Sequence, residues 1–288
     1  MSGESTFNVK EHLEYRHKRY KSATIDNPML LGLSTVEINP TELCNRVCSF
    51  CPRSDPKVYP NRKLHMTVVT AELISQQLKD AGFDGDIHIT GFGEPTLNPC
   101  ILSIIKSFSK NFFTEMITNG DRILTGKLTP DSLWQHGLDS LIVDCYDNEE
   151  QVDKITNILK DFKGQLRIRK HFDDGSKELF QMYNYNNRGG MMNDPDSTHR
   201  RPCYMPMYKS FIDWNGDVRL CCNDWARAQK PFGNIHKESF SEIWMNNMFT
   251  KVRKTLLRGE RDMLPACELC DTDGCKGGKE SAVLWNTI

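Results

Sequence analysis

Three cysteines within one short run, Cys44, Cys48 and Cys51 in NPTELCNRVCSFCPR, constrain the fold of this chain more than any other feature. Thiols this close must face one centre from one loop, and the flanking elements must serve that loop. Soft thiolates hold iron-sulfur clusters, zinc or Cu(I) rather than hard-ligand metals, and a cubane cluster normally takes four of them. The next cysteine, Cys100, lies far along the chain, so the triplet would hold a cubane by three corners and leave its fourth iron open. A structural zinc site draws on the same ligands, and the spacing alone leaves both readings open. Pro40 and Pro52 bracket the run and argue against a continuous helix, while STVEINP at 34–40 alternates as a short strand does. The cysteines are therefore expected on a loop that follows a strand.

Strand and helix signals then alternate. Strands are expected at 36–39, 86–90, 113–118, 138–144, 166–170 and 179–185. Helices are expected at 68–81 with Thr67 as N-cap, at 98–108 with Pro99 in the first turn, at 131–137 and at 149–162. This order implies parallel β/α units. After NRGG at 187–190 the rhythm ends in a polar stretch, and a second module begins. The expected division is an N-terminal extension at 1–33, with a basic helical stretch at 10–21, then a β/α unit at 34–190 and a second module at 191–288.

Composition narrows the setting. Lys plus Arg at 37 against Asp plus Glu at 38 leaves no global basic surface for nucleic acid. There is no apolar run of about 18 residues and no apolar leader segment, so neither a membrane span nor a secretory signal is expected. Eleven cysteines, an odd number grouped as CxxxCxxC, CC and CxxC, read as metal ligation in a reducing cytoplasm rather than a disulfide framework.

The C-x3-C-x2-C loop, the aromatic Phe50 before its last cysteine, and Gly91-Phe92-Gly93-Glu94-Pro95 after the run at 86–90 together resemble the radical S-adenosylmethionine (radical SAM) superfamily. Glycines allow a ligand close to the backbone, and a carboxylate is an acceptor-only partner for an ammonium group. The resemblance implies an α/β fold, a partial (β/α)6 TIM-like barrel. It implies a [4Fe-4S] cluster on Cys44, Cys48 and Cys51, with Phe50 near the adenine of S-adenosylmethionine and with Gly93 and Glu94 at its amino group. It also places ribose and carboxylate contacts at the strand ends that carry Asn119 and Asp144, and puts Arg169 at the barrel mouth as a group that binds or polarises substrate. Read from the residues alone, the Asn of TNG is a turn former and the Arg of LRIRKHF a solvated strand residue.

The second module carries Cys203, Cys221, Cys222, Cys267, Cys270 and Cys275. Asn215-Gly216 between two β runs is a strong hairpin signal, and it returns Cys221 toward Cys203. Neighbouring Cys222 should face the opposite side of its strand. The C-x12-G-x4-C spacing, the later CxxC and GNIHKESFSEIW at 233–244 resemble the auxiliary-cluster region of the SPASM and shorter twitch subfamilies. With six cysteines rather than the roughly seven of a full SPASM region, the twitch form is implied: a hairpin-plus-helix domain with one [4Fe-4S] cluster on Cys203, Cys221, Cys267 and Cys270. Zinc would again accept the same four ligands. The family chemistry is hydrogen abstraction by a 5'-deoxyadenosyl radical. A fully ligated second cluster then implies two-electron oxidation of a carbinol in a small-molecule substrate of sugar or aminocyclitol type, with an electron donor such as flavodoxin or ferredoxin. The alternatives are a peptide-modifying radical SAM enzyme, against which the short segment before the first strand argues, and a non-enzymatic iron-sulfur electron-transfer protein.

Overall fold

A computed structural model of the chain describes residues 27–172, 186–192 and 200–288. The strand expected at 179–185 and the helical stretch at 10–21 lie outside the described residues. Within them, five strands run parallel: β1 (Thr35–Ile38), β2 (Asp86–Ile89), β3 (Phe113–Thr118), β4 (Ser140–Cys145) and β5 (Gln165–Lys170). Between them lie α1 (Val68–Asp80), α2 (Ile101–Ser109), α3 (Asp121–Leu124), α4 (Pro130–Gln135) and α5 (Glu149–Leu159). Thr67 caps α1 by accepting from the Thr70 amide, as its sequence signals. Helix α2 starts later than expected because the Asn98 side chain is taken by the Pro40 and Met66 carbonyls and the Cys100 amide.

Strand alternation sorts the side chains into two populations. Val36, Ile38, Ile87, Ile89, Met116, Leu141, Val143 and Ile168 join the apolar core under the helices. The alternate positions are charged: His88 and Arg167 lie 3.8 and 3.9 Å from Glu115, and Lys209 pairs with Glu37. Arg169 belongs to this inward set rather than to a solvated strand face, because its register partner is Asp144, with which it forms an ion pair.

The second module is not hung from the barrel by a linker alone. Strand β6 (Lys209–Ile212) lies parallel to β1 on its free side, and β7 (Asp217–Arg219) and β8 (Gly233–Asn234) continue antiparallel, so one eight-stranded sheet runs β5-β4-β3-β2-β1-β6-β7-β8. The hairpin expected at Asn215-Gly216 joins β6 to β7, with Gly216 at φ +85°. Three helices follow: α7 (Phe240–Met245, after α6 at Met205–Tyr208), α8 (Asn247–Leu257) and α9 (Lys279–Trp285). They close around Arg253, which is fully buried with its guanidinium 3.7 to 3.9 Å from the ring centroids of Trp244, Phe249 and Trp285. Its Nε and Nη1 donate to the carbonyls of Pro206 and Trp244. Arg253→Met leaves both carbonyls without their donor in a dry site, and we expect a loss of about 2 to 4 kcal/mol in chemical denaturation.

Candidate active site

The segment after β1 is pinned before it reaches the cysteines. Glu42 donates its amide to the Leu64 carbonyl and Met66 donates to Pro40, while the Asn61 side chain exchanges hydrogen bonds of 2.9 and 2.7 Å with the Cys44 backbone. Buried Arg53 donates to the Phe92 carbonyl at 3.0 Å, to Asn61 at 3.1 Å and to the Glu42 carbonyl. The cysteine loop is thereby tied to the GFGEP turn. Burial pushes the Cys44 thiol up and pushes Cys48 to about 11, with Cys51 and the neighbouring thiol adding to the rise. The Arg46 backbone amide and guanidinium oppose this rise, and the guanidinium is itself held by Asp121 at 2.6 Å and Asp147 at 2.7 Å. Thiols raised in this way become thiolates most readily when a cation joins them.

GFGEP fits against this loop at backbone distance. The Phe92 amide donates to Asn39 Oδ1 at 3.0 Å and the Glu94 amide to the Leu43 carbonyl at 2.9 Å. A Cβ on Gly93 would sit 2.2 Å from the Thr41 carbonyl oxygen and 2.7 Å from that of Leu43, so only glycine fits. The Glu94 carboxylate accepts from the Thr96 amide at 3.1 Å, the Thr96 hydroxyl at 2.6 Å, the Thr118 hydroxyl at 2.5 Å and the Asn119 amide at 2.8 Å. Burial still pushes its carboxyl up against these donors. Among the described residues no Lys, Arg or His pairs with it, so a cationic amine would be its natural complement.

Cys44, Cys48, Cys51, Phe50, Gly93, Glu94, Asn119, Asp144 and Arg169, every barrel residue singled out from the sequence, line one cavity of about 400 Å³. Asn119 is the turn former that TNG implies, its Oδ1 accepting from the Asp121 amide, and its Nδ2 donates to Asn45 of the cysteine loop at 2.9 Å. Arg169 grips Asp144 at 2.5 and 2.7 Å, and His171 lies 3.1 Å from the same carboxylate. Burial raises the Asp144 carboxyl, but the charges of Arg169 and His171 outweigh it and hold it well below the usual carboxylate range. Phe50, Tyr146 and His171 stack with ring centroids 4.9 to 6.2 Å apart, which makes a flat aromatic wall. Tyr146, His171, Glu37, Arg188, Cys222 and Trp225 also line the cavity and were not singled out as site residues. His171 was legible: it stands two residues after Arg169, at the C-terminal end of the same strand.

Behind the cavity lies the second group of thiols. Cys203, Cys221, Cys267 and Cys270 lie within electrostatic reach of one another: burial and then its cysteine neighbours push Cys221 well up, and burial lifts Cys203 to about 11. Arg261 fixes the flanking backbone through the carbonyls of Arg201, Pro202 and Thr272. Cys221 and Cys222 lie just past the end of β7 rather than on the strand expected for them, so alternation does not sort them; Cys222 lines the cavity, and Cys275 donates its thiol to the Pro202 carbonyl at 2.9 Å. Among the described residues, no three His, Cys, Asp or Glu side chains converge as ligands of a single ion would. Four thiols grouped in this way suit an iron-sulfur cluster or zinc alike. No helix among the described residues is long and apolar enough to cross a membrane. Gly93→Ala is expected to cost about 1 to 3 kcal/mol by forcing the GFGEP turn from the cysteine loop, seen as a lower melting temperature and a lower iron content after reconstitution than in the parent protein.

Comparison with known proteins agrees with this geometry. Residues 38–171 match the Radical SAM superfamily, and residues 203–271 match SPASM, an iron-sulfur cluster-binding domain. The S-adenosyl-L-methionine-dependent 2-deoxy-scyllo-inosamine dehydrogenase of Niallia circulans is 25% identical over 244 residues, 83% of this chain and 92% of that protein. The structure of BtrN in complex with AdoMet and 2-DOIA superposes with a TM-score of 0.70 at 22% identity, covering 86% of this chain and 96% of that one. BtrN in an open conformation gives 0.59 at 20% identity, over 83% and 92%. The chain thus carries a radical SAM domain at the cysteine triplet and a SPASM domain around the second group of thiols.

Proposed function

We propose that this protein oxidises a carbinol of a small, polar substrate of sugar or aminocyclitol type by two electrons, using S-adenosylmethionine and two [4Fe-4S] clusters. The observation that carries this is a single cavity lined by the three cysteines of the β1 loop and, across it, by Cys222, whose neighbour Cys221 belongs to the second group of thiols. Cys44, Cys48 and Cys51 would hold the first cluster, and Cys203, Cys221, Cys267 and Cys270 the second. The donor sets fit these groups: Cys44, Cys48 and Cys51 lie within electrostatic reach of one another on one side, and Cys203, Cys221, Cys267 and Cys270 on the other. When bound, the first cluster and S-adenosylmethionine supply a one-electron cleavage that yields a hydrogen-abstracting radical, and the second cluster supplies an electron acceptor.

The chain's own residues have separable tasks. Glu94, buried without a cationic partner, orients the amino group of the cosubstrate, with the Gly93 backbone beside it. Phe50, stacked with Tyr146 and His171, forms the wall for the adenine. Asp144, kept ionised by Arg169 and His171, accepts from ribose hydroxyls, and Asn119 contributes a further polar contact at the end of β3. Arg169 presents a cation at the cavity for the substrate oxygen. In this division residues 34–190 generate the radical and residues 191–288 accept the second electron, in a cytoplasmic setting with flavodoxin or ferredoxin as donor. The dehydrogenase named above supports the carbinol reading through its reaction class, and the cavity's polar walls suit a hydroxylated substrate.

With reduced, reconstituted protein and a panel of polyols and aminocyclitols deuterated at the carbinol carbon, the label should appear in 5'-deoxyadenosine and the product should be lighter by that deuterium and the hydroxyl proton. A product that keeps its hydroxyl on an inverted centre would overturn the oxidation, and absence of 5'-deoxyadenosine would overturn the reaction altogether. The variant Cys221→Ala with Cys267→Ala should fall from about eight to about four irons per chain, keep cleaving S-adenosylmethionine and form no ketone.

A further inference from the structure

The two cysteine-bearing segments are joined by a buried charged bridge that has no task in the scheme above. Glu42 stands two residues before Cys44, and Arg227 six residues after Cys221. The Glu42 carboxylate pairs with the Arg227 guanidinium and accepts from the Tyr59 hydroxyl at 2.7 Å and from Asn39 at 3.1 Å. Arg227 also donates to Tyr59 at 2.8 Å and to Asp213 at 2.9 Å, and Asp213 in turn accepts from Asn39 at 2.8 Å and Arg219 at 2.9 Å. Glu42 and Asp213 are 2% and 1% exposed. Arg227 has φ +50°, a conformation that non-glycine residues rarely adopt, so its backbone is bent to bring the guanidinium here.

Against this bridge packs a cluster of four aromatic side chains, Tyr59, Phe92, Phe211 and Trp225. Cys51 of the first thiol group and Cys222, next to Cys221 of the second, both pack on that cluster. Burying so many charges gains little stability over apolar residues of the same volume, whereas ion pairs with fixed forks specify geometry. What this network specifies is the placement of the Cys44–Cys51 loop relative to the Cys221 hairpin.

We propose that Glu42, Tyr59, Asp213 and Arg227 are positioning residues that set the separation of the two clusters and thereby couple hydrogen abstraction to the second oxidation. This rests on the carbinol oxidation proposed above. In that reaction the carbinol C–H gives its hydrogen atom to the 5'-deoxyadenosyl radical and forms 5'-deoxyadenosine. The hydroxyl loses its proton to solvent, and the remaining electron passes to the second cluster as C=O forms. If the separation loosens, the substrate radical outlives its route to the acceptor, and cleavage of S-adenosylmethionine no longer yields ketone.

The test compares Arg227→Met, Arg227→Lys and Tyr59→Phe with the parent protein by iron content, by 5'-deoxyadenosine formed per ketone, and by the distribution of distances between the two reduced clusters in pulsed EPR. Arg227→Met is expected to keep its iron and to cleave S-adenosylmethionine within about twofold of the parent rate, while the ratio of 5'-deoxyadenosine to ketone rises about threefold or more and the distance distribution broadens. Arg227→Lys should recover part of both. Tyr59→Phe, which removes one hydroxyl and keeps the aromatic packing, should move both readouts in the same direction and carries the test if Arg227→Met does not fold. An unchanged ratio and an unchanged distribution in the folded variants would overturn the proposal. A parent protein that makes 5'-deoxyadenosine but no ketone would overturn the oxidation instead, and the distance distribution would still decide whether the bridge sets the separation.

Discussion

β1 is hydrogen-bonded on both sides, to β2 through Val36 and Ile87 and to β6 through Val36 and Ser210, and the remaining architecture depends on that double pairing. The strand that ends in the cysteine loop is thus also the strand on which the second module docks. A parallel pair is buried on both faces and tolerates little slippage. The Ser34 amide donates to the Tyr208 carbonyl and the Asn39 amide to that of Ile212, so the register is closed beyond each end of the ladder. Two thiol groups on distant parts of the sequence are held in one frame without a flexible joint between their strands.

The consequence is a cavity whose chemistry comes from strand ends, the usual location in parallel β/α folds. Apolar residues at alternate positions bind the helices, and charged residues at the others face inward, with Glu115, Asp144, Arg167 and Arg169 neutralising one another in pairs. Glu94 is the exception, a buried carboxylate supplied with hydroxyl and amide donors but no cation among the described residues. A buried carboxylate so placed favours a positive group at that point.

Much of this was legible in the sequence because its signals are local. The cysteine spacing, the GFGEP turn, the Asn215-Gly216 hairpin and the capping Thr67 each rest on a few adjacent residues, and each stands where its spacing implies. Strand alternation does not reach Cys221 and Cys222, because β7 ends at Arg219 and the two cysteines follow it in a turn. What escaped depends on contacts between residues far apart in sequence. No pattern around LRIRK reveals that Arg169 will meet Asp144 across a strand pair, and nothing in Glu42, Tyr59 or Arg227 marks them as partners. The joining of β6 to β1 was equally hidden, since KSFI reads as one half of a hairpin, and its parallel partner lies some 170 residues earlier.

The central claim, one cluster with an open iron and one fully ligated, is tested most directly by EPR of the reduced, reconstituted protein with and without S-adenosylmethionine. Two cubane signals should be present, and the cosubstrate should shift one of them and leave the other unchanged. A single cubane signal, or two signals that both ignore S-adenosylmethionine, would contradict the account.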